Sequence, residues 1–340
     1  MRAARIHGHG GPGELRVEEV PDPEPATGEL LVRQRATSVN HRDVWIRKGH
    51  PHPAYHVDLP AILGIDICGE VVAVGDGVSG FSVGDRVTAN PYMPCRSCVS
   101  CRRERPQYCE RFDVYNGAYA ELATVPASLA IPIGPDVPDE HVACFPNAYI
   151  TAWQMLVTKA GVGPDDTVFI WAGTSGLGCA GAQIARLAGA TVIASARAEK
   201  LDVLREKVAP DLAIDHHGED VAAKVLDFTD GLGATIVFEH IGQATWGRSL
   251  DMLASGGTIV SAGATSGDDA RMDITHMFVK QARILGSRLG TMDDAIAAAR
   301  HLSAGRFAPI VGSVLPLEDI AHAHELLEAG DATGKIIVRL

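Results

Sequence analysis

Residues 167–196 read TVFIWAGTSGLGCAGAQIARLAGATVIASA, and this stretch decides the fold. TVFIWA is a short β-branched and aromatic run, Gly173 to Gly178 punctuate it, CAGAQIARLAG has the composition of a helix, and ATVIASA is a second apolar run. Strand, glycine loop, helix and strand in that order make a dinucleotide fingerprint. The glycines allow a tight turn, close backbone approach to a pyrophosphate and packing of helix on strand, and the phosphates rest on the helix N-terminus. Measured against G-x-G-x-x-G, the middle glycine is Ser175 with Gly176 behind it, so the loop is a variant set in a complete context. Gly173, Ser175, Gly176 and Gly178 are the expected cofactor contacts; a glycine-rich turn without ligand is the alternative.

Four more short runs follow, LAIDH, ATIVFEH, GTIVSAG and RILGS, separated by helical patterns such as AEKLDVLREKV with Leu201, Leu204 and Val208 on one face. This alternation predicts a doubly wound parallel sheet with helices on both sides over residues 150–288. Residues 28–135 have another rhythm. ELLVRQRATSV, CGEVVAVG and GDRVTAN alternate or run apolar between Gly and Pro, the pattern of short strands and tight turns. The tail from AIAAARHLSAG to GKIIVRL reads as helix, helix and a closing strand that rejoins the first part. The expected domains are therefore 1–149 with 289–340, and 150–288.

The chain has 340 residues, enough for two cores, and 46% of them are apolar. Its formal net charge of -12 excludes nucleic-acid backbones and anionic membranes as expected partners. MRAARIHGHGGPGELRVEEV at the start lacks a signal-peptide core, and nothing later reaches the roughly 18 uninterrupted apolar residues of a membrane span. A cytoplasmic protein acting on small molecules is expected. Seven cysteines, four of them crowded into NPYMPCRSCVSCRRERPQYCE at C-x2-C-x2-C-x7-C, suit a metal in a reducing compartment better than disulfides. Cys95, Cys98, Cys101 and Cys109 would give a closed tetrahedral zinc site with no open position for chemistry.

The second strand of the fingerprint ends at Ser195, 22 positions past Gly173, where NAD sites usually place an acid for the ribose 2′-hydroxyl. A small hydroxyl followed by Arg197 and Lys200 leaves room and charge for a 2′-phosphate and predicts NADP(H). Solvated residues at a helix start are the other reading of the two cations.

With these features in hand, the chain resembles the medium-chain dehydrogenase/reductase superfamily, in which a β-rich GroES-like catalytic domain with a cysteine lobe accompanies a Rossmann domain. The resemblance implies one structural zinc in residues 90–110. It also locates the family's catalytic zinc ligands, and there this sequence departs. Asn40 in ATSVNHRD, Ile65 in PAILGIDICGEVVAVG and Asn147 in CFPNAYITAW stand at the three ligand positions, and Arg42 and Trp45 stand at the proton relay.

The zinc-free quinone and enoyl reductases of the superfamily share N-x-x-D at NHRDVWIRKG. By that resemblance Asn40 offers its amide to a substrate carbonyl or the nicotinamide ribose and Asp43 orders the loop, a turn-capping role being the alternative for both. The resemblance also sets His41 near the pyrophosphate, Thr151, His240, Gly242, Ala262 and Gly263 near the nicotinamide, and Lys335 near a phosphate. Tyr55, His52, His56, Asp66 or water is the proton source. Trp45, Tyr55 and Phe145 line an apolar pocket or simply pack in the core.

The implied activity is NADPH-dependent hydride transfer to an activated C=C or a quinone. The alternatives are an alcohol dehydrogenase with metal on Asp66, His41 and a shifted ligand such as Cys144, or a non-catalytic NADPH-binding protein. A homodimer or tetramer formed through the last Rossmann strand is the implied assembly.

Overall fold

The computed structural model describes all residues, Met1–Leu340. They form two units, Met1–Ile150 with Gly290–Leu340, and Thr151–Leu289.

In the first unit Glu29–Gln34 turns Leu30, Val32 and Gln34 inward, the period-two pattern of a half-buried strand. It belongs to a five-stranded antiparallel sheet in the order Leu122–Pro126, Glu29–Gln34, Gly69–Val74, Arg86–Ala89, Ala130–Pro132. Leu30, Val32, Ile67, Val71, Val87 and Val125 fill its core. Each such side chain contributes about 1.5–3 kcal/mol on burial.

The tail does rejoin this unit, and its last strand positions the site. Lys335–Arg339 pairs antiparallel with Ala36–Ser38, Ile337 opposite Ser38, and the Val39 N–H donates to the Ile336 carbonyl at 3.1 Å. Continuing that register brings Lys335 beside Asn40, 295 positions away in sequence. Helix α1 (His41–Lys48) starts immediately after Asn40 and stops at Gly49, whose φ of 75° is the left-handed cap that glycine adopts without strain. Helix α2 (Asp139–Trp153) carries Cys144 and Asn147.

The second unit is a six-stranded sheet, parallel throughout, built from β1 (Thr167–Ile170), β2 (Thr191–Ala196), β3 (Leu212–Asp215), β4 (Ala234–Glu239), β5 (Leu253–Ser261) and β6 (Arg283–Gly286). The order is β3-β2-β1-β4-β5-β6, the Rossmann arrangement. Phe169, Trp171, Ile193, Val237 and Ile259 are among its core residues. Helix α3 (Gly176–Leu187) follows β1. The strand order reverses between β1 and β4, and ligands of such sheets bind outside the carboxyl ends of the strands at that point. AEKLDVLREKV is less regular than its periodicity suggests: a 3-10 turn, one α turn and a π turn over Leu204–Val208 replace a straight helix, with Leu204 and Val208 buried and Leu201 only partly so. No helix of the molecule is long and apolar enough to cross a membrane.

Candidate active site

The four cysteines converge. Their sulfurs lie within 4.8 Å of one another, with Cys98 and Cys109 Sγ atoms 3.8 Å apart. Main-chain N–H groups of Cys95, Cys98 and Cys101 donate to the sulfurs of Cys109, Cys95 and Cys98 at 3.3, 3.3 and 3.5 Å. Hydrogen bonds led by those from Ser97 lower the Cys95 thiol to about 5. Hydrogen bonds led by that from Cys101 lower Cys98, whereas burial, then the neighbouring sulfurs, pushes Cys101 up to about 12. Crowded thiols resist joint ionisation unless a cation compensates them, so this donor set fits a four-thiolate Zn2+.

Asn40 sits at the centre of a second cluster within the first unit. Its Nδ2 donates to Asp66 Oδ2 at 2.8 Å and to the Ser38 carbonyl at 3.4 Å. Its Oδ1 accepts from Asn147 Nδ2 at 2.7 Å and from Lys335 Nζ at 2.5 Å. Asp66 also accepts from the Ser38 hydroxyl and from the Asn147 N–H at 2.9 Å, and Lys335 Nζ lies 3.4 Å from its Oδ2. All of these side chains except that of Asn147 are buried.

These contacts bear on three expectations. Both amide hydrogens of Asn40 have acceptors inside the protein, so it does not present a free donor to a substrate carbonyl. Lys335, expected near a phosphate, is buried and directs its three N–H groups to Asn40, Asp66 and the Val39 carbonyl at 3.2 Å. Asp66 is packed under an ammonium group, which repels a divalent ion. With Ile65 fully buried and amides at positions 40 and 147, the residues do not fit a catalytic zinc. Cys144 is fully buried on α2.

Asp43 accepts the Asn40 N–H at 3.0 Å and the Tyr119 hydroxyl at 2.9 Å, tying the first turn of α1 to the sheet unit. Burial raises its carboxyl to about 6 against the pull of Arg42 and the two hydrogen bonds. The Tyr119 hydroxyl also meets His324 Nε2 at 3.3 Å. Among the other proton-source candidates, His52 and His56 are exposed, and His52 Nδ1 accepts the Ala54 N–H at 3.1 Å. Tyr55 is half-buried, 5.2 Å from the Trp45 ring and 4.8 Å from His50. Phe145 is core: it is fully buried and stacked on Tyr149 at 6.2 Å. His41 is exposed at the start of α1, and Thr151 is buried where the second unit begins.

In the second unit the variant loop has a physical reason. Ser175 caps α3, its Oγ accepting the Gly178 N–H at 3.0 Å. A Cβ on Gly178 would stand 2.2 Å from the Ala172 carbonyl oxygen, so only glycine lets α3 approach β1 this closely. Ser195 is fully buried; its carbonyl accepts the Gly173 N–H at 2.7 Å and its hydroxyl faces His216 Nδ1 at 3.3 Å. Its hydroxyl thus belongs to the protein interior, and Arg197 and Lys200 are the more exposed groups at that strand end.

At the ends of β4 and β5, His240 Nε2 meets the Trp171 carbonyl at 2.9 Å, and Ala262 N–H donates to the Glu239 carbonyl at 3.2 Å. Gly242 (φ 93°) and Gly263 complete that rim. Sequence reasoning missed Glu239, whose buried carboxylate accepts from Ile241 N–H at 2.7 Å, Gly242 N–H at 3.0 Å and the hydroxyls of Thr245 and Ser249. The only signal was an acid closing an otherwise apolar strand.

Residues 26–136 match the alcohol dehydrogenase GroES-like domain and residues 176–304 the zinc-binding dehydrogenase domain. Acryloyl-coenzyme A reductase of Metallosphaera sedula is 28% identical over 344 residues, spanning 99% of each chain. A solved NAD-dependent alcohol dehydrogenase is 38% identical with a TM-score of 0.94, and a mycobacterial protein solved with NADPH is 31% identical with a TM-score of 0.84, both over 100% of either chain. The chain belongs to the medium-chain dehydrogenase/reductase superfamily.

Proposed function

We propose that this protein is an NADPH-dependent reductase that delivers hydride to an electrophilic carbon, the β-carbon of an enone or enoyl compound or a quinone ring, without a catalytic zinc. One observation carries the reading: around Asn40, where the family's zinc enzymes hold a divalent ion, this chain packs its own cation, Lys335, against Asp66. NADPH, when bound, supplies the hydride. The protein's part is to fix groups in advance. Lys335 and Asn147 lock the Asn40 side chain, Asp43 holds the turn behind it, and the Lys335 ammonium keeps positive potential beside Asn40, which favours an enolate oxygen. Asn40 and Lys335 are positioning residues in this scheme, and water delivers the proton.

Cofactor selection follows from Gly173, Ser175, Gly176 and Gly178 at the pyrophosphate and from Arg197 and Lys200 at a 2′-phosphate; the NADPH complex of a relative supports it. The cysteine lobe holds one structural Zn2+. All seven cysteines are outside disulfides, which suits the cytoplasm. A second copy of the chain joins through the unpaired edge of β6; Ile274, Phe278 and Val279, which shortly precede β6 in sequence, are exposed by 66%, 60% and 65%.

The alcohol dehydrogenase reading has one observation in its favour, the 38% identity to a protein of that name. The deciding experiment follows NADPH oxidation with enones and quinones, and NAD(P)+ reduction with alcohols, before and after chelation. Chelator-resistant reduction of the C=C or quinone acceptors is expected. Alcohol oxidation that needs a second zinc per chain would overturn the proposal, and cofactor binding without any turnover would favour a binding protein.

A further inference from the structure

Glu239 ends β4 and is fully buried, yet its bonded partners are all neutral. Its carboxylate accepts the N–H groups of Ile241 and Gly242 at 2.7 and 3.0 Å, the Thr245 hydroxyl at 2.9 Å and the Ser249 hydroxyl at 2.7 Å. Ser249 Oγ in turn accepts the Trp171 indole N–H at 2.8 Å, so its own hydrogen goes to Glu239. Arg248, beside Ser249 in the helix Trp246–Asp251, turns elsewhere. It donates to the His216 and Ala244 carbonyls at 3.2 Å each and lies over the Trp171 ring. His240 is no counter-ion either: burial lowers its pKa, and its Nε2 meets the Trp171 carbonyl at 2.9 Å.

A loop can be held by a neutral acceptor such as a glutamine oxygen or a main-chain carbonyl. A full negative charge withdrawn from water and faced only by neutral dipoles is costly, and buried charges are normally paired. The sheet shows where a transient partner would come from. β4 adjoins β1 where the strand order reverses, and Glu239 stands at its carboxyl end, one residue past the Ile170–Phe238 pair. A dinucleotide lies across that crevice with one nucleotide on each half of the sheet. The loop Gly173–Gly178 and the end of β2 take the pyrophosphate and the adenosine ribose, which leaves the ends of β4 and β5 to the nicotinamide half. We propose that Glu239 favours the oxidised cofactor electrostatically: its field stabilises the positively charged nicotinamide of NADP+ and so makes bound NADPH a stronger hydride donor. This rests on the cofactor reading given above and deepens it. Hydride leaves the dihydropyridine ring with two electrons and bonds to the electrophilic carbon of the acceptor. The acceptor's π pair moves onto its oxygen, water supplies the balancing proton, and the ring keeps a single positive charge. Glu239 acts on that charge through space, from an interior where charges are screened less than in water.

The test measures dissociation constants of NADP+ and NADPH by calorimetric and fluorescence titration for the wild type, Glu239→Gln and Glu239→Asp. Glutamine keeps an oxygen acceptor for the loop but not the charge. In Glu239→Gln the ratio Kd(NADP+)/Kd(NADPH) should exceed the wild-type ratio on the order of 3- to 10-fold. Tenfold corresponds to a rise of about 30 mV in the two-electron potential of the bound cofactor. Glu239→Asp keeps the charge and should hold the wild-type ratio even where both constants weaken. Equal weakening of both ligands in Glu239→Gln, the mark of a structural role alone, would overturn the proposal. So would a fall in the ratio, or a shift in Glu239→Asp as large as that in Glu239→Gln. Should Glu239→Gln melt early, Glu239→Asn against Glu239→Asp, alike in length and unlike in charge, takes its place. If the wild type binds both cofactor forms yet reduces no enone or quinone, the reductase reading fails and the ratio still decides the role of Glu239. If it binds NAD(H) and not NADP(H), the same ratio is read with NAD+ and NADH. Binding of neither would overturn both readings.

Discussion

Lys335 Nζ lies 3.4 Å from Asp66 Oδ2, with the two side chains 8% and 0% exposed, because the final strand pairs with Ala36–Ser38. Withdrawing both charges from water is costly, and the cost is offset only while Ser38, Asn40 and the Asn147 N–H satisfy the remaining lone pairs. Lys335→Met should therefore destabilise the chain by about 3–5 kcal/mol, since it leaves Asp66 buried and uncompensated. The double variant Lys335→Met with Asp66→Leu should lose clearly less than the sum of the single changes. Urea denaturation of the four proteins checks this; additive losses would show that the two charges are not coupled.

Asp43 gives a pH dependence of defined sign. Its carboxyl is raised from 3.8 to about 6 in the folded chain, so the folded state holds the proton more tightly than the unfolded state. The stability it contributes is complete below about pH 4 and is lost as pH rises through about 6, roughly 3 kcal/mol in all. Arg42, Tyr119 and Asp66 are the groups that act on it, together with the Asn40 N–H. Asp43→Asn cannot titrate there. The stability difference between wild type and Asp43→Asn, measured by denaturation from pH 3 to pH 7, should move against the wild type by that amount, and a flat difference would refute it.

Gly178→Ala places a methyl group 2.2 Å from the Ala172 carbonyl oxygen. Either α3 moves off β1 or the loop opens, and both displace the N–H groups that a pyrophosphate would meet. A fall in NADPH affinity of at least about tenfold is expected by fluorescence titration, with a loss of about 1–3 kcal/mol in stability. Unchanged affinity would remove the loop from the cofactor site.

The cysteine lobe should contain about one zinc per chain by elemental analysis, the content of a single four-thiolate site. Cys109→Ser should lower that content and the melting temperature together while leaving NADPH binding to the second unit intact. Two zinc ions per chain in the wild type would contradict the reading of positions 40, 65 and 147.

Much of this was legible in sequence where the signal is local. The glycine loop, the six apolar runs and the C-x2-C-x2-C-x7-C spacing each occupy a short window in which chemistry dictates conformation. Phe145 went the other way: an aromatic residue near site segments looks the same whether it lines a pocket or stacks on Tyr149, and only packing distinguishes the two. Ser195 was legible as a missing acid, but the burial of its hydroxyl against His216 was not.

By itself the sequence determined the parallel sheet, its glycine loop and the four-cysteine spacing, because these depend on residue types at fixed spacing, and its resemblance to a family marked positions 40, 65 and 147 as the ones to look at. The tertiary structure alone decided what surrounds those positions. Asn40, Asp66, Asn147 and Lys335 come from four separate segments, and whether an amide is free or spent depends on which donors and acceptors the fold brings within 3.5 Å of it.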